Sequence, residues 1–149
     1  MPTKTHAAGW SIRRFEGVDA PACAMIFRGC LEAFAWRGRP QVYIGPLYES
    51  LRTAVSWVAE EPRAGVVGFL TLQPRAAYVD HVFVDEDWRF CGIGRGLLAE
   101  ARAYAGWPLT LTVDAENQFA RGAYEAMGWE PTGETGGRGH SAWVRMRGP

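Results

Sequence analysis

The residues of this chain whose types and spacing suit chemistry fall in two stretches. The first runs from Asp80 and His81 through Val82, Phe83 and Val84, crosses the acidic turn Asp85-Glu86-Asp87, and ends in Arg89, Phe90, Cys91, Gly92, Ile93, Gly94, Arg95 and Gly96. Its glycines, set before a helical pattern, suit a phosphate cradle. The first N–H groups of a helix are unpaired, the helix dipole places partial positive charge there, and glycine lets the backbone approach a ligand closely. The second stretch is Asp114-Ala-Glu-Asn117, followed by Tyr124. A phenol of pKa near ~10 stays protonated at neutral pH and can donate a proton. Asn117 and Tyr124 are seven residues apart, close to two helical turns, so both can face one ligand.

The elements that must position these groups are legible in the hydrophobic pattern. Residues 77–84 read as a buried strand that feeds the glycine loop. Leu97, Leu98, Ala101, Tyr104 and Ala105 then recur at helical spacing until Gly106 and Pro108 stop the helix. Leu109–Val113 reads as a short strand, and a helix follows Asn117 to end at Gly128. Upstream, Trp10, Ile12 and Phe15 suggest a first strand. Asp19 and Pro21 start a helix whose apolar stripe is Cys23, Ile26, Phe27, Cys30, Leu31 and Phe34. That helix is expected to fail near Trp36, with Gly38, Pro40, Gly45 and Pro46 making a loop before a short helix at 47–52. Strands are expected at 55–60, 65–72, 129–134 and 142–146, with a hairpin loop over 136–140. The order β-α-α-β-β-β-α-β-α-β-β describes one α/β domain over residues 10–149, preceded by a flexible tail, 1–9.

Arg89-x-x-Gly92-x-Gly94 resembles the pyrophosphate-binding loop of the GNAT N-acetyltransferases. Asn117, Ala120, Tyr124 and Gly128-Trp129 fall where that family carries Asn-x-x-Ala-x-x-x-Tyr-x-x-x-Gly-aromatic. The resemblance covers about residues 10–147. It implies the GNAT fold: a central, mostly antiparallel mixed sheet flanked by helices, in which the strands here at 77–84 and 109–113 begin paired and then splay. It implies acetyl-CoA as co-substrate, with its pantetheine arm bonded to the first of these strands as an added strand would be.

Acyl transfer to an amine needs a bound donor, a polarised carbonyl, an uncharged amine and an acid for the thiolate. The loop supplies the first through the amides from Cys91 to Gly96, with Arg89 and Arg95 near the phosphates. Backbone N–H groups of Val82 to Val84 serve as an oxyanion hole. The resemblance makes Tyr124 the acid; core packing is the alternative, because Ala120, Ala123, Tyr124 and Met127 share a stripe. Asn117 caps its helix, contacts the cofactor, or does both. Cys91 contributes its amide or, less simply, a reactive thiol, and Phe90 is structural if it packs under the loop. A lysine-like amine of pKa ~10.4 is neutral in about one molecule in two thousand at pH 7, so a group must take its proton. Asp80 holds the ammonium or orders water unless burial raises its pKa. His81 has the better-matched pKa, but adjacent strand residues face opposite sides unless a bulge intervenes. A base elsewhere, or water, remains open. The acceptor site is expected between Trp36, Arg37, Arg39 and Tyr43 on one side and Arg138 and His140 on the other. There, arginines and aromatics suit a carboxylate-bearing acceptor, and a plain solvated loop is the competing reading.

Bulk properties narrow the field. The chain has 149 residues, 48% of them hydrophobic, enough for one packed domain. Sixteen basic and sixteen acidic residues cancel, which argues against a nucleic-acid footprint. No apolar leader or membrane span is evident, and three cysteines, an odd number, fit a reducing cytoplasm. His6, His81 and His140 lack the spacing of a metal site, no Gly-x-Ser-x-Gly elbow occurs, and Leu97 breaks the dinucleotide-fold pattern. The expected partners are acetyl-CoA and an amine acceptor, with no nucleic acid and no membrane. Homodimers are frequent in the family, and seven tryptophans allow an apolar patch. The rival from another class is a non-catalytic acyl-CoA-binding module of the same fold.

Overall fold

In the computed structural model, residues 4–5, 9–32 and 41–149 are described, with the backbone alone for 4–5 and 41–42. The chain runs β1 (Lys4–Thr5), β2 (Ser11–Arg14), α1 (Ala20–Glu32), α2 (Gln41–Thr53), β3 (Val55–Glu61), β4 (Gly65–Gln73), β5 (Tyr78–Val84), α3 (Ile93–Ala105), β6 (Thr110–Asp114), α4 (Gln118–Ala126), β7 (Glu130–Gly136) and β8 (Trp143–Arg147). Among the described residues eight strands form one sheet in the order β1-β2-β3-β4-β5-β6-β8-β7. Among the described strands only the β5–β6 pairing is parallel. This is the mixed, mostly antiparallel sheet flanked by helices that the resemblance implies. Within the segment expected as a tail, Lys4 and Thr5 pair with Ile12 and Ser11.

Each face of the sheet has its own core, because residues in β3 and β4 alternate between the two. On one face Trp57, Ala59, Leu70 and Leu72 pack against Ile93, Leu97, Leu98 and Ala101 of α3. On the other, Val58 and Phe69 pack against Cys23, Ile26, Phe27, Cys30 and Leu31 of α1 and Leu47 and Leu51 of α2. The α1 stripe is as read from the sequence, apart from Phe34, which lies outside the described residues. The β6–β8–β7 end is different. Leu111, Val113 and Met146 fill the α3 face, so Thr110, Thr112, Arg145 and Arg147 stand on the opposite face.

One expected boundary is corrected. The loop read from Gly45 and Pro46 is helix, with Pro46 inside α2. Proline removes one helical hydrogen bond there, and burial of Leu47 (0% exposed) and Leu51 against α1 outweighs that loss. The helix thereby brings Ser50 under β5, which matters below. Among the described residues, no helix is long and apolar enough to cross a membrane.

Cys23 and Cys30 are buried, as their shared helix face implies, while Cys91 is half-buried. Burial pushes the Cys23 thiol up to about 12 and raises Cys30 as well. Both therefore resist forming the reactive thiolate. A maleimide reagent at about pH 8 should label Cys91 alone in the native protein, with Cys23 and Cys30 reacting only on unfolding. Rapid native labelling of all three, read by mass spectrometry, would contradict this packing.

Candidate active site

The site begins where β5 and β6 part. They pair only at Tyr78–Thr110 and Val79–Leu111. Beyond Val79 the β6-facing edge of β5 has no strand partner among the described residues, while β6 stays paired to β8 as far as Asp114. The opening is a cleft of about 690 Å³, within the ordinary range for small-molecule sites. It is lined by β5 from Val79 to Val84, by Arg89, Phe90, Gly94 and Arg95 of the glycine loop, by Leu111–Asp114, and by Asn117, Ala120 and Tyr124.

A β-bulge explains how β5 presents its polar residues. Leu72 pairs with Val79 but Thr71 with His81, so Asp80 is an extra residue in β5. Alternation breaks there, and Asp80 and His81 both face the α1–α2 side. The Asp80 carboxylate accepts hydrogen bonds at Oδ2 from Gln73 Nε2 (2.7 Å) and Ser50 Oγ (3.2 Å). Among the described residues, Oδ1 has no such partner. His81 Nδ1 is 2.8 Å from Thr71 Oγ1, and its ring lies edge-on to Phe27, with Phe69 and Phe83 alongside. Neither Ser50, Gln73 nor Thr71 was marked by a sequence signal; α2 brings Ser50 to this point, and the β4–β5 register with its bulge brings Gln73 and Thr71.

The glycine loop is shaped by two left-handed residues. Phe90 (φ 66°) and Gly92 (φ 82°) turn the chain into α3, whose first-turn residues Gly94 and Arg95 line the cleft. Phe90 does not pack under the loop: it is 88% exposed and meets Phe119 of α4 edge-to-face across the cleft mouth. Cys91, Gly92, Ile93 and Gly96 do not line the cleft. Ile93 is buried in the core. The amide of Gly96 already bonds the Gly92 carbonyl, and a Cβ on Gly96 would lie 2.9 Å from the Trp10 ring. Gly96 therefore lets the helix sit on Trp10. Trp10 in turn donates from Nε1 to the Cys91 carbonyl at 2.9 Å, a staple of the loop hidden in what read as a plain strand residue.

On the opposite wall, Asn117 caps α4 by accepting from the Ala120 amide (3.1 Å) while also lining the cleft, so capping and contact coexist. The Tyr124 ring lies 5.3 Å from that of Trp129. The Trp129 amide donates to the Tyr124 carbonyl at 3.0 Å. Burial pushes the phenol well above its ordinary value. Of the expected acceptor residues, Tyr43 lines the cleft; Arg138 and His140 do not, and His140 instead meets Glu116 at 2.8 Å. Trp36, Arg37 and Arg39 lie outside the described residues. Among the described residues, no group of three or more His, Cys, Asp or Glu is placed to hold a metal ion.

This geometry fits a long, thin ligand with a phosphate at one end. A free strand edge suits an amide-bearing arm, and a left-handed glycine before a helix N-terminus with two arginines suits a pyrophosphate. A family model described as an acetyltransferase (GNAT) domain matches residues 41–148. The chain belongs to the GNAT acetyltransferase family, which uses acetyl-CoA as co-substrate. Among named relatives, the peptidyl-lysine N-acetyltransferase YjaB of Escherichia coli is 38% identical over 85 residues, 57% of this chain and 56% of that protein. Its namesake in Salmonella typhimurium is 36% identical over 85 residues, 57% of each chain. The match thus spans little more than half the length of these relatives. The solution structure of apo YjaB from Escherichia coli superposes with a TM-score of 0.75 at 28% identity, covering 93% of this chain and 96% of that one. A GCN5-related N-acetyltransferase from Kribbella flavida gives 0.73 at 18% identity over 97% and 99%, a likeness of fold.

The staple generates a test. Trp10→Phe removes both the indole N–H that bonds the Cys91 carbonyl and the ring edge on which Gly96 rests, so stability should fall by at least about 2 kcal/mol and acetyl-CoA should bind several-fold more weakly. Calorimetric melting and titration would read both. Unchanged affinity would mean that the indole N–H does not hold the loop.

Proposed function

We propose that this chain is an acetyl-CoA-dependent N-acetyltransferase that moves the acetyl group directly to a primary amine while both substrates are bound. The observation that carries the reading is the cleft itself: one opening collects the free edge of β5, the N-terminus of α3, Asp80 and Tyr124. The acceptor we favour is a lysine side chain of a peptide. The named relatives support it, and so does an acidic residue at the bulge, which suits an incoming ammonium. The cytoplasm is the proposed compartment, supported by the three unpaired cysteines.

In this reading the pantetheine arm pairs with the unpartnered edge of β5 and the pyrophosphate sits at Gly94 and Arg95. Arg89 is close by. Asp80 receives the ammonium at Oδ1, with Ser50 and Gln73 fixing the carboxylate through Oδ2. His81, held by Thr71 and the surrounding rings, is placed to orient rather than to shuttle. A proton leaves the amine to water or Asp80, and the neutral nitrogen attacks the thioester carbon. The new C–N bond forms as the C–S bond breaks, with amides on the open edge of β5, Val82 and Val84, stabilising the oxyanion. Tyr124 faces the departing sulfur. Because burial raises its pKa, the phenol acts first as a hydrogen-bond donor and gives its proton only as thiolate charge develops.

Two outcomes follow for Tyr124. Tyr124→Phe should lower kcat by about 10²-fold or more with the Kd of acetyl-CoA changed less than about 3-fold. A group whose pKa is raised stays protonated to higher pH, so wild-type kcat should rise as the acceptor deprotonates and not turn down below about pH 10. An unchanged kcat in the variant, followed by thiol release, would remove Tyr124 from the chemistry.

A further inference from the structure

A second groove, of about 420 Å³, opens at the closed end of the β5–β6 cleft, where the two strands are still paired. Its walls are Arg75 of the β4–β5 turn, Trp107 after α3, Thr110 of β6, Thr132 of β7 and Arg147 of β8. Trp107 is 71% exposed. Neither guanidinium has an ion pair or hydrogen bond with any described residue. Glu130 stands opposite Arg147 in the β7–β8 register, yet the two form no ion pair. The contrast with Arg145, two residues away, is sharp. That guanidinium bonds Thr112 and Glu134 and lies over the rings of Tyr78 and Trp143. It is a structural cation; Arg75 and Arg147 are not.

The groove shares its sheet face with Asp80. Gln73 and Tyr78 are cross-strand partners, and Gln73 reaches Asp80, so Tyr78 and Asp80 lie on one side. Thr110 stands beside Tyr78, and Arg147 beside Thr110, on that same side. Two residues along β5 and two strands across place Arg147 roughly 12 Å from Asp80, backbone to backbone. That span is about three or four residues of extended peptide.

We propose that Arg75 and Arg147 form an acidic-residue subsite for the acceptor peptide. The chain selects lysines that carry a Glu or Asp within about four residues, the lysine at Asp80 and the acid between the two guanidiniums, with Trp107 packed against its stem. The pairing is complementary: a carboxylate meets the cation of the acceptor, and two unpaired cations meet its acid. This rests on the proposed lysine acceptor.

The test is a set of N-terminally blocked peptides with one lysine and Glu, Gln or Arg placed three residues to either side. Nα-acetyl-lysine methylamide serves as a flankless acceptor. In the wild-type protein kcat/KM should fall in the order Glu, Gln, Arg, with Glu ahead of Gln by about 5- to 20-fold at low salt and by less at high salt. Arg75→Glu with Arg147→Glu should invert the order while leaving the flankless rate unchanged, which also shows that the variant is folded. Equal kcat/KM for the three peptides, or an order kept by the charge-reversed variant, would overturn the subsite alone. No transfer to any acceptor, the flankless one included, would overturn the lysine reading and the subsite with it.

Discussion

Everything distinctive about this domain depends on two adjacent strands that begin a ladder and do not finish it. β5 and β6 share two residue pairs and then part, although each continues for several residues. A parallel ladder normally runs on, because an unpaired backbone N–H or C=O in a dry place costs about as much as a lost hydrogen bond. The extra residue at Asp80 works against continuation: a bulge sharpens local twist and bends its strand. The cost is lowered by leaving the gap open and ligand-sized, where solvent or a ligand with its own amides can reach the β5 edge.

The rest of the molecule holds that gap open. Two cores grip opposite faces of β3 and β4, so β5 is anchored on its β4 side whatever happens on the other. Beyond β5 the loop is set from a distance: Trp10, eighty-one residues away in sequence, bonds the Cys91 carbonyl and lies against Gly96. On the far wall Trp129 backs Tyr124 by ring contact and a backbone hydrogen bond. A Cβ on Gly148 would lie 2.8 Å from that indole, so the C-terminal backbone packs close against it. The residues of the proposed site thus come from three different elements, β5, the loop before α3, and α4.

Much of this was legible in the sequence because it is local. The glycine loop, the strand before it, the stripe of α3 and the Asn117 cap each depend on residues within a turn or two of one another, and all fall within a residue or two of the expected place. What was not legible depends on long-range packing. Pro46 reads as a breaker until Leu47 and Leu51 are seen buried against α1. Asp80 and His81 read as alternating until the register with β4 reveals the bulge. Phe90 was expected under the loop only if it faced inward, and its left-handed backbone turns it outward to Phe119. The partners Ser50, Gln73 and Thr71 follow from these same tertiary facts, and no spacing in the chain announces them.

In the proposed reading the parted strands hold acetyl-CoA. An amide-resolved NMR titration with coenzyme A tests it most directly. The amides of Val82 and Val84 and of Gly94 and Arg95 should shift together and gain protection from hydrogen exchange, saturating at one ligand per chain, while those of Arg75 and Arg147 stay unmoved. Shifts confined to the glycine loop, with β5 silent, would contradict it. They would mean that a phosphate is held but that no arm is laid along the open strand.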